Sequence, residues 1–227
     1  MTVDPLSLVI FDFDGTIVDS HARITQIMQL AIKEHGFAAP IDALLRSCIG
    51  LPVVQMYETL VPGADQAACL SMRDFQIEAG RLHRDAGGGP EPLFSGALDA
   101  LNVLDAAGHL LAITTNKGRP GLDHDLIGHK IDGIFVTTRS AHDGHLKPHP
   151  DAVHDVLRKT GVEAQNCVLV GDTETDILTA ANAGVKSIGV AWGYHAPESL
   201  TKVGADALAG SFDELPALVE GLLGQTS

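Results

Sequence analysis

The feature that most narrows what this chain can fold into is how it begins. Residues 6–11, Leu-Ser-Leu-Val-Ile-Phe, are nearly all apolar. A short run without polar alternation fits a β-strand covered on both faces, and predicts a first strand over 6–12. Strand candidates follow at 110–115, 133–138, 167–172 and 186–191, with helical patterns over 96–107, 150–160 and 174–183. Strand–helix alternation of this kind predicts an α/β fold built on a parallel sheet.

One segment breaks the alternation. From about residue 21 to 84 the patterns are helical. Ile24, Ile27, Met28 and Ala31 recur at i, i+3, i+4 and i+7, one face of a helix. A second helix is expected over about 65–84. The stretch Gly87-Gly88-Gly89-Pro90 reads as a flexible linker. The expected organisation is a core of residues 1–18 and 90–227 with a helical subdomain, 19–89, inserted after the first strand. The 227 residues suffice for both.

Hydrophobic residues make up 45% of the chain, enough to bury a sizeable core, and the formal net charge is −14. Such a charge repels nucleic-acid backbones and anionic lipid, so neither nucleic acid nor membrane is an expected partner. Cys48, Cys69 and Cys167 are far apart and form no CxxC pair, which gives no support to a zinc ribbon or a disulfide framework. Reduced thiols point to a cytoplasmic protein. The start, Met1-Thr2-Val3-Asp4-Pro5, lacks the basic region of a signal peptide.

Four constellations carry possible chemistry. Asp12 and Asp14 sit at i and i+2 where the first strand ends, followed by Gly15. Alternate residues of an extended segment project to one side, and like charges that close need a cation or a proton between them. Asp12 on a divalent metal and a proton on Asp14 would meet that need; an ordinary Asp-Gly turn is the alternative. Thr114-Thr115-Asn116-Lys117 follows a second apolar run and could hold phosphate oxygens, or merely cap a helix. Leu146-Lys147-Pro148-His149-Pro150 stiffens the chain after Lys147, which could neutralise a phosphate or be a surface lysine. Asp172 ends another strand and Asp176 follows four residues later, suiting Mg²⁺ or, alternatively, helix capping by Asp172. His142, His145 and His149 cluster nearby but read as loop histidines without carboxylate partners. On a parallel sheet all four constellations fall on one edge.

Together these residues resemble the haloacid dehalogenase superfamily, in the phosphoglycolate phosphatase-like branch. Its four motifs are matched in order by FDFDGTIVDS at 11–20, ITTNK at 113–117, LKPHPD at 146–151 and VGDTETD at 170–176. The resemblance covers essentially the whole chain. It implies a Rossmann-like parallel sheet core with an inserted α-helical cap, and a phosphatase hydrolysing a small phosphorylated metabolite, phosphoglycolate-like or a sugar phosphate. By the same resemblance Asp12 is the nucleophile forming an aspartyl-phosphate, and Asp14 is the acid–base residue. Thr115, Asn116 and Lys147 would bind the phosphoryl group. Mg²⁺ would be held by Asp12, the Asp14 carbonyl, Asp172 and, through water, Asp176.

Asp14 favours phosphate esters over the dehalogenase and phosphonatase branches, which lack an acid there. A phosphomutase of the β-phosphoglucomutase type uses the same pair and is the alternative. A receiver domain fits poorly, because of the helical insert and the length. Arg46, Arg81 and Arg84 are candidates for a substrate carboxylate or second phosphate, although each also reads as a solvated helix-face charge. Lys117 could touch substrate, although it reads as a surface lysine at a helix start. A monomer or a homodimer is expected.

Overall fold

The structure is a computed structural model and describes residues 6–224. The signal-peptide reading rests on Met1–Pro5, which lie outside the described residues. Six strands form one parallel sheet in the order β3-β2-β1-β4-β5-β6. They are β1 (Leu8–Phe11), β2 (Leu110–Thr114), β3 (Thr137–Arg139), β4 (Cys167–Gly171), β5 (Lys186–Val190) and β6 (Ala207–Ala209). β1 is central, with Leu8–Phe11 in register against 110–113 on one side and 167–170 on the other. Every residue of β1 is buried, which is why its sequence shows no alternation.

The two faces still alternate. Val9 and Phe11 join one apolar cluster with Leu111, Ile113, Val168 and Val170, covered by α5 (Ala97–Ala106), α6 (Arg119–His129) and α10 (Leu215–Leu223). Leu8 and Ile10 point the other way, with Ala112 and Leu169, under α7 (Asp151–Thr160) and α8 (Glu174–Ala183). Helix α9 (Pro197–Lys202) packs beside β5. The sequence expectations for α5, α7 and α8 agree with these spans. The third expected strand does not. Residues 132–134, with the Asp132-Gly133 pair, make a turn, and pairing starts only when the Val136 amide donates to the Leu111 carbonyl at 2.8 Å. The short edge strand β6 was not anticipated.

Between β1 and α5 lie four helices, α1 (His21–Glu34), α2 (Asp42–Ser47), α3 (Val53–Leu60) and α4 (Gln66–Asp85). They share their own apolar cluster, including Met28, Ala31, Leu45, Tyr57 and Met72. Asp65 caps α4 by accepting from the Ala68 amide at 2.8 Å. The stripe expected on α1 is shared: Met28 and Ala31 enter the cluster, Ile24 packs against it and also lines a cavity at the sheet edge, and Ile27 lines that cavity. The two connections to these helices are fastened together, with the Asp19 amide donating to Pro92 and the Phe94 amide to Ile17. No described helix is long and apolar enough to cross a membrane.

Leu101 on α5 is fully buried against the sheet, whereas Ile127 on α6 is 64% exposed. Leu101→Ala is expected to destabilise the protein by about 2–5 kcal/mol. Ile127→Ala should stay within about 0.5 kcal/mol. Urea unfolding midpoints at unchanged m-value check both.

Candidate active site

The carboxyl ends of β1, β2 and β4 meet where the strand order turns outward in both directions from β1. That is where open parallel sheets leave a crevice for ligands. The Asp12 amide continues the ladder by donating to the Val170 carbonyl at 2.8 Å, which fixes Asp12 beside the end of β4. Gly15 then turns the chain with φ +87°. A Cβ there would lie 2.3 Å from Asp172 Oδ2, so only glycine lets this turn approach that carboxylate.

Asp12, Asp172 and Asp176 are all buried, and one carboxylate oxygen from each lies within 4.8 Å of the others. Lys147 Nζ donates to Asp12 Oδ1 at 2.6 Å and to Asp176 Oδ1 at 2.5 Å. Asp176 Oδ2 accepts from the Thr173 amide at 3.0 Å and from its hydroxyl at 2.7 Å, a capping box at the start of α8. Thr173, not Asp172, is therefore the cap of that helix, which rules out the capping reading of Asp172. Asp172 is instead oriented by Thr16 Oγ1 at 3.0 Å and the Tyr194 amide at 2.8 Å.

Three buried carboxylates thus meet one ammonium, which pairs with Asp12 and Asp176 and not with Asp172. Burial raises the Asp12 pKa to about 7, against the pull of Lys147 and with repulsion from Asp176. Burial and repulsion from Asp12 and Asp176 push Asp172 well above the carboxylate range. For Lys147, burial pulls the pKa down but the two carboxylates outweigh it, so the ammonium is retained. A desolvated cluster of oxygen donors with surplus negative charge suits a hard divalent cation.

Asp14 lines the same cavity and accepts from Lys117 Nζ at 2.7 Å. Lys117 is no surface lysine. Its side chain is 12% exposed, its Nζ is 3.2 Å from Asp125 Oδ2 and 5.6 Å from the Phe13 ring centroid. Burial lowers its pKa, but Asp14 and Asp125 more than reverse this. Asp125 is fully buried, and its other oxygen accepts from the Glu91 amide at 3.1 Å. Sequence reasoning missed this pair. The available signal was an aspartate between Leu122 and Leu126 in the buried stripe of α6.

The second constellation divides its work. Thr115 and Asn116 line the cavity. The Asn116 side chain donates to the Gly50 carbonyl at 3.0 Å and accepts from the Lys147 amide at 2.9 Å. Arg46 is not a solvated charge and does not line the cavity: its guanidinium donates to the Gly193 and Tyr194 carbonyls at 2.6 and 3.0 Å. Arg81 is a solvated charge, paired with Glu78 and Asp85. Arg84 lines the cavity. The histidine cluster does have a carboxylate partner. Asp151 accepts from His145 at 2.5 Å and lies 3.2 Å from His149, with the two rings stacked at 4.4 Å. All three residues are exposed.

A family model described as haloacid dehalogenase-like hydrolase matches residues 9–190. The chain is 29% identical over 225 residues to a phosphoglycolate phosphatase of Vibrio parahaemolyticus, covering 96% of this chain and 98% of that one. It is 28% identical over 225 residues to the pyrophosphatase PpaX of Bacillus pumilus, covering 96% and 99%. Among solved structures, a haloacid dehalogenase-like family hydrolase from Streptococcus pneumoniae superposes with a TM-score of 0.80 at 24% identity, covering 94% of this chain and 98% of that one. At that identity the superposition speaks for the fold alone.

The acidic cluster sets a pH dependence. Asp12 titrates near 7 in the folded protein and near 3.8 unfolded, so between those values the folded state holds the extra proton. Stability from this group is therefore lost as pH rises from about 4 to about 7. A divalent cation held by this cluster would compete with that proton. The rise in Tm on adding Mg²⁺ is expected to be larger at pH 8 than at pH 5.5, as read by differential scanning calorimetry. Substituting Asp172→Asn should shrink that difference.

Proposed function

The chain belongs to the haloacid dehalogenase-like hydrolases, and on that premise we propose that it is a Mg²⁺-dependent phosphatase of small phosphate monoesters working through an aspartyl-phosphate. The observation that carries this reading is the placement of Asp12 and Asp14 on one cavity. Lys147 holds the first and Lys117 the second. The names of the relatives, a phosphoglycolate phosphatase and a pyrophosphatase, support phosphate as the group transferred and leave the leaving group open. No observation favours the phosphomutase alternative. Residues 19–89 act in this reading as a cap over the site, and 1–18 with 90–227 as the core.

In the first step an Asp12 oxygen attacks phosphorus, the ester P–O bond breaks, and Asp14 gives its proton to the departing alkoxide. In the second, Asp14 takes a proton from water as the water oxygen attacks phosphorus and the Asp12–phosphorus bond breaks. Lys147 neutralises the phosphoryl oxygens and keeps one Asp12 oxygen oriented. Thr115 and Asn116 hold the transferring group from the β2 side. Asp12, the Asp14 carbonyl and Asp172 would hold Mg²⁺, with Asp176 behind them, and the cation would stabilise negative charge on the phosphoryl oxygens. Lys117, backed by buried Asp125, is a positioning residue that keeps the Asp14 carboxylate aimed at the leaving oxygen.

Asp12→Asn is expected to lower kcat for 2-phosphoglycolate or p-nitrophenyl phosphate by at least ~10³-fold. Equal activity in the variant and the parent sinks the nucleophile assignment. Asp14→Asn should cost about 10²–10⁴-fold with alkyl esters, yet let p-nitrophenyl phosphate label Asp12, detectable as acid-trapped phosphoenzyme.

Lys117→Gln separates positioning from general damage. The expectation is a kcat loss of about 10–100-fold with alkyl phosphates but only a few-fold with p-nitrophenyl phosphate, whose leaving group needs no proton. A uniform loss with both esters contradicts the positioning role. The double variant Lys117→Gln/Asp125→Asn removes the buried charge left unpaired and should recover Tm without recovering kcat.

A further inference from the structure

The helical face above the acidic cluster is built for something larger than a two-carbon acid. The cavity that contains Asp12 and Asp14 has a volume of about 280 Å³, close to the ~300 Å³ at which pockets for drug-sized ligands begin. Away from the catalytic carboxylates its walls are Ile24 and Ile27 of α1, Val53 and Met56 of α3, and Ile77 of α4. Ile77 is 60% exposed although its neighbours on α3 and α4 form a closed apolar cluster. A branched apolar side chain that faces a cavity and is left wet is covered when an apolar ligand enters.

Helix α4 presents one continuous stripe to this space. Arg73, Gln76, Ile77, Gly80 and Arg84 all line it, at spacings that place them on one face. Gly80 sits inside a 20-residue helix, where glycine is unfavourable relative to alanine. The atom that a Cβ at Gly80 would meet is Arg84 Nη1, at 3.4 Å. The glycine therefore makes a notch in the wall, with the Arg84 guanidinium lying over it. The other α4 arginines are neutralised: Arg73 pairs with Asp74, and Arg81 with Glu78 and Asp85, whereas Arg84 makes no ion pair among the described residues. On the facing helix, Arg23 also lines the cavity. It pairs with Glu91 through Nε, but its Nη1 is buried without a hydrogen-bond partner. A cation without a carboxylate, beside the apolar wall of a half-open cavity, is the complement of an anionic group on an apolar body.

We propose that the preferred substrate is a phosphate monoester whose leaving alcohol carries an apolar body about the size of an aromatic ring and ends in an anionic group, which Arg84 receives. The ring lies against Ile24, Ile27, Val53 and Ile77, and the notch at Gly80 admits it. This rests on the phosphatase reading above and names the chemistry of its leaving group. Phosphoglycolate offers the anion and no body; a neutral sugar phosphate offers neither.

The test compares three primary-alcohol esters, so that leaving-group basicity is similar: 2-phosphoglycolate, benzyl phosphate and 4-carboxybenzyl phosphate, with Mg²⁺ and the full chain. The expected order of kcat/KM is 4-carboxybenzyl over benzyl over 2-phosphoglycolate, by roughly tenfold at each step. Arg84→Gln should lower kcat/KM for the carboxybenzyl ester about tenfold more than for the benzyl ester, mainly through KM. Gly80→Leu favours the helix, so it should fold. It fills the notch and should lower both benzyl esters about tenfold relative to 2-phosphoglycolate. If 2-phosphoglycolate is preferred over both benzyl esters, or if neither variant changes these ratios, the inference is overturned while the phosphatase reading stands. If none of the three, nor p-nitrophenyl phosphate, is hydrolysed, the reading beneath it fails as well.

Discussion

Lys147 is held between Asp12 and Asp176 at the dry end of the sheet, and the rest of the site depends on that ammonium. Without it, Asp12, Asp172 and Asp176 would be three carboxylates in a space that water scarcely reaches, and such a cluster takes up protons or comes apart. Each neighbour is fixed by its own short-range device. The Asp12 amide is paired to β4, Asp176 completes the cap of α8, and Asn116 grips the Lys147 backbone amide. The parallel sheet supplies the geometry, because it brings three strand ends to one edge. The surplus negative charge that remains is a built-in demand for a cation.

A second ammonium repeats the pattern at smaller scale. Lys117 lies between Asp14 and the fully buried Asp125, and Asp125 in turn receives the Glu91 amide from the chain returning from the helices. The two acidic residues flanking Phe13 are therefore placed in different electrostatic settings. Asp12 sits in a cluster with excess negative charge; Asp14 faces a lysine with a dedicated counter-charge behind it. Two carboxylates with unlike neighbours can take unlike roles, and a cation bound at the cluster would displace the proton that burial favours on Asp12 and free it to attack.

Much of this was legible in the sequence, and the rest was hidden for identifiable reasons. The apolar run before Asp12 announced a strand buried on both faces, and the spans of α5, α7 and α8 follow from periodicity. Asp12, Asp14 and Asp172 could be singled out because each ends or closely follows an apolar run, and Lys147 because Pro148 and Pro150 stiffen the chain after it. Lys117 and Arg46 were misread because a long cationic side chain next to a helix terminus is ordinarily solvated. Their partners, Asp14 and the Gly193 and Tyr194 carbonyls, lie 103 and roughly 150 residues away in the chain, beyond what local pattern reaches. The expected strand at 133–138 gave way to a turn because Asp132-Gly133 outweighed the apolar residues around it. The α1 stripe was correct as a helix, but it serves two purposes, since Ile27 lines a cavity and Ile24 borders both that cavity and the apolar cluster.

Arg46 ties these levels together. It stands on α2, among the inserted helices, and holds the carbonyls of Gly193 and Tyr194; the Tyr194 amide orients Asp172. One loop of the core thus receives a fastening from the helices on one side and sets a carboxylate of the acidic cluster on the other. The helices are for that reason not an interchangeable attachment. A different helical insert, spliced onto this sheet between the same two connections, would inherit the strand ends and both lysines but lose the guanidinium that steadies the 193–194 peptide. Any replacement insert would have to bring along an equivalent of Arg46 for the Gly193 and Tyr194 carbonyls to keep their donor.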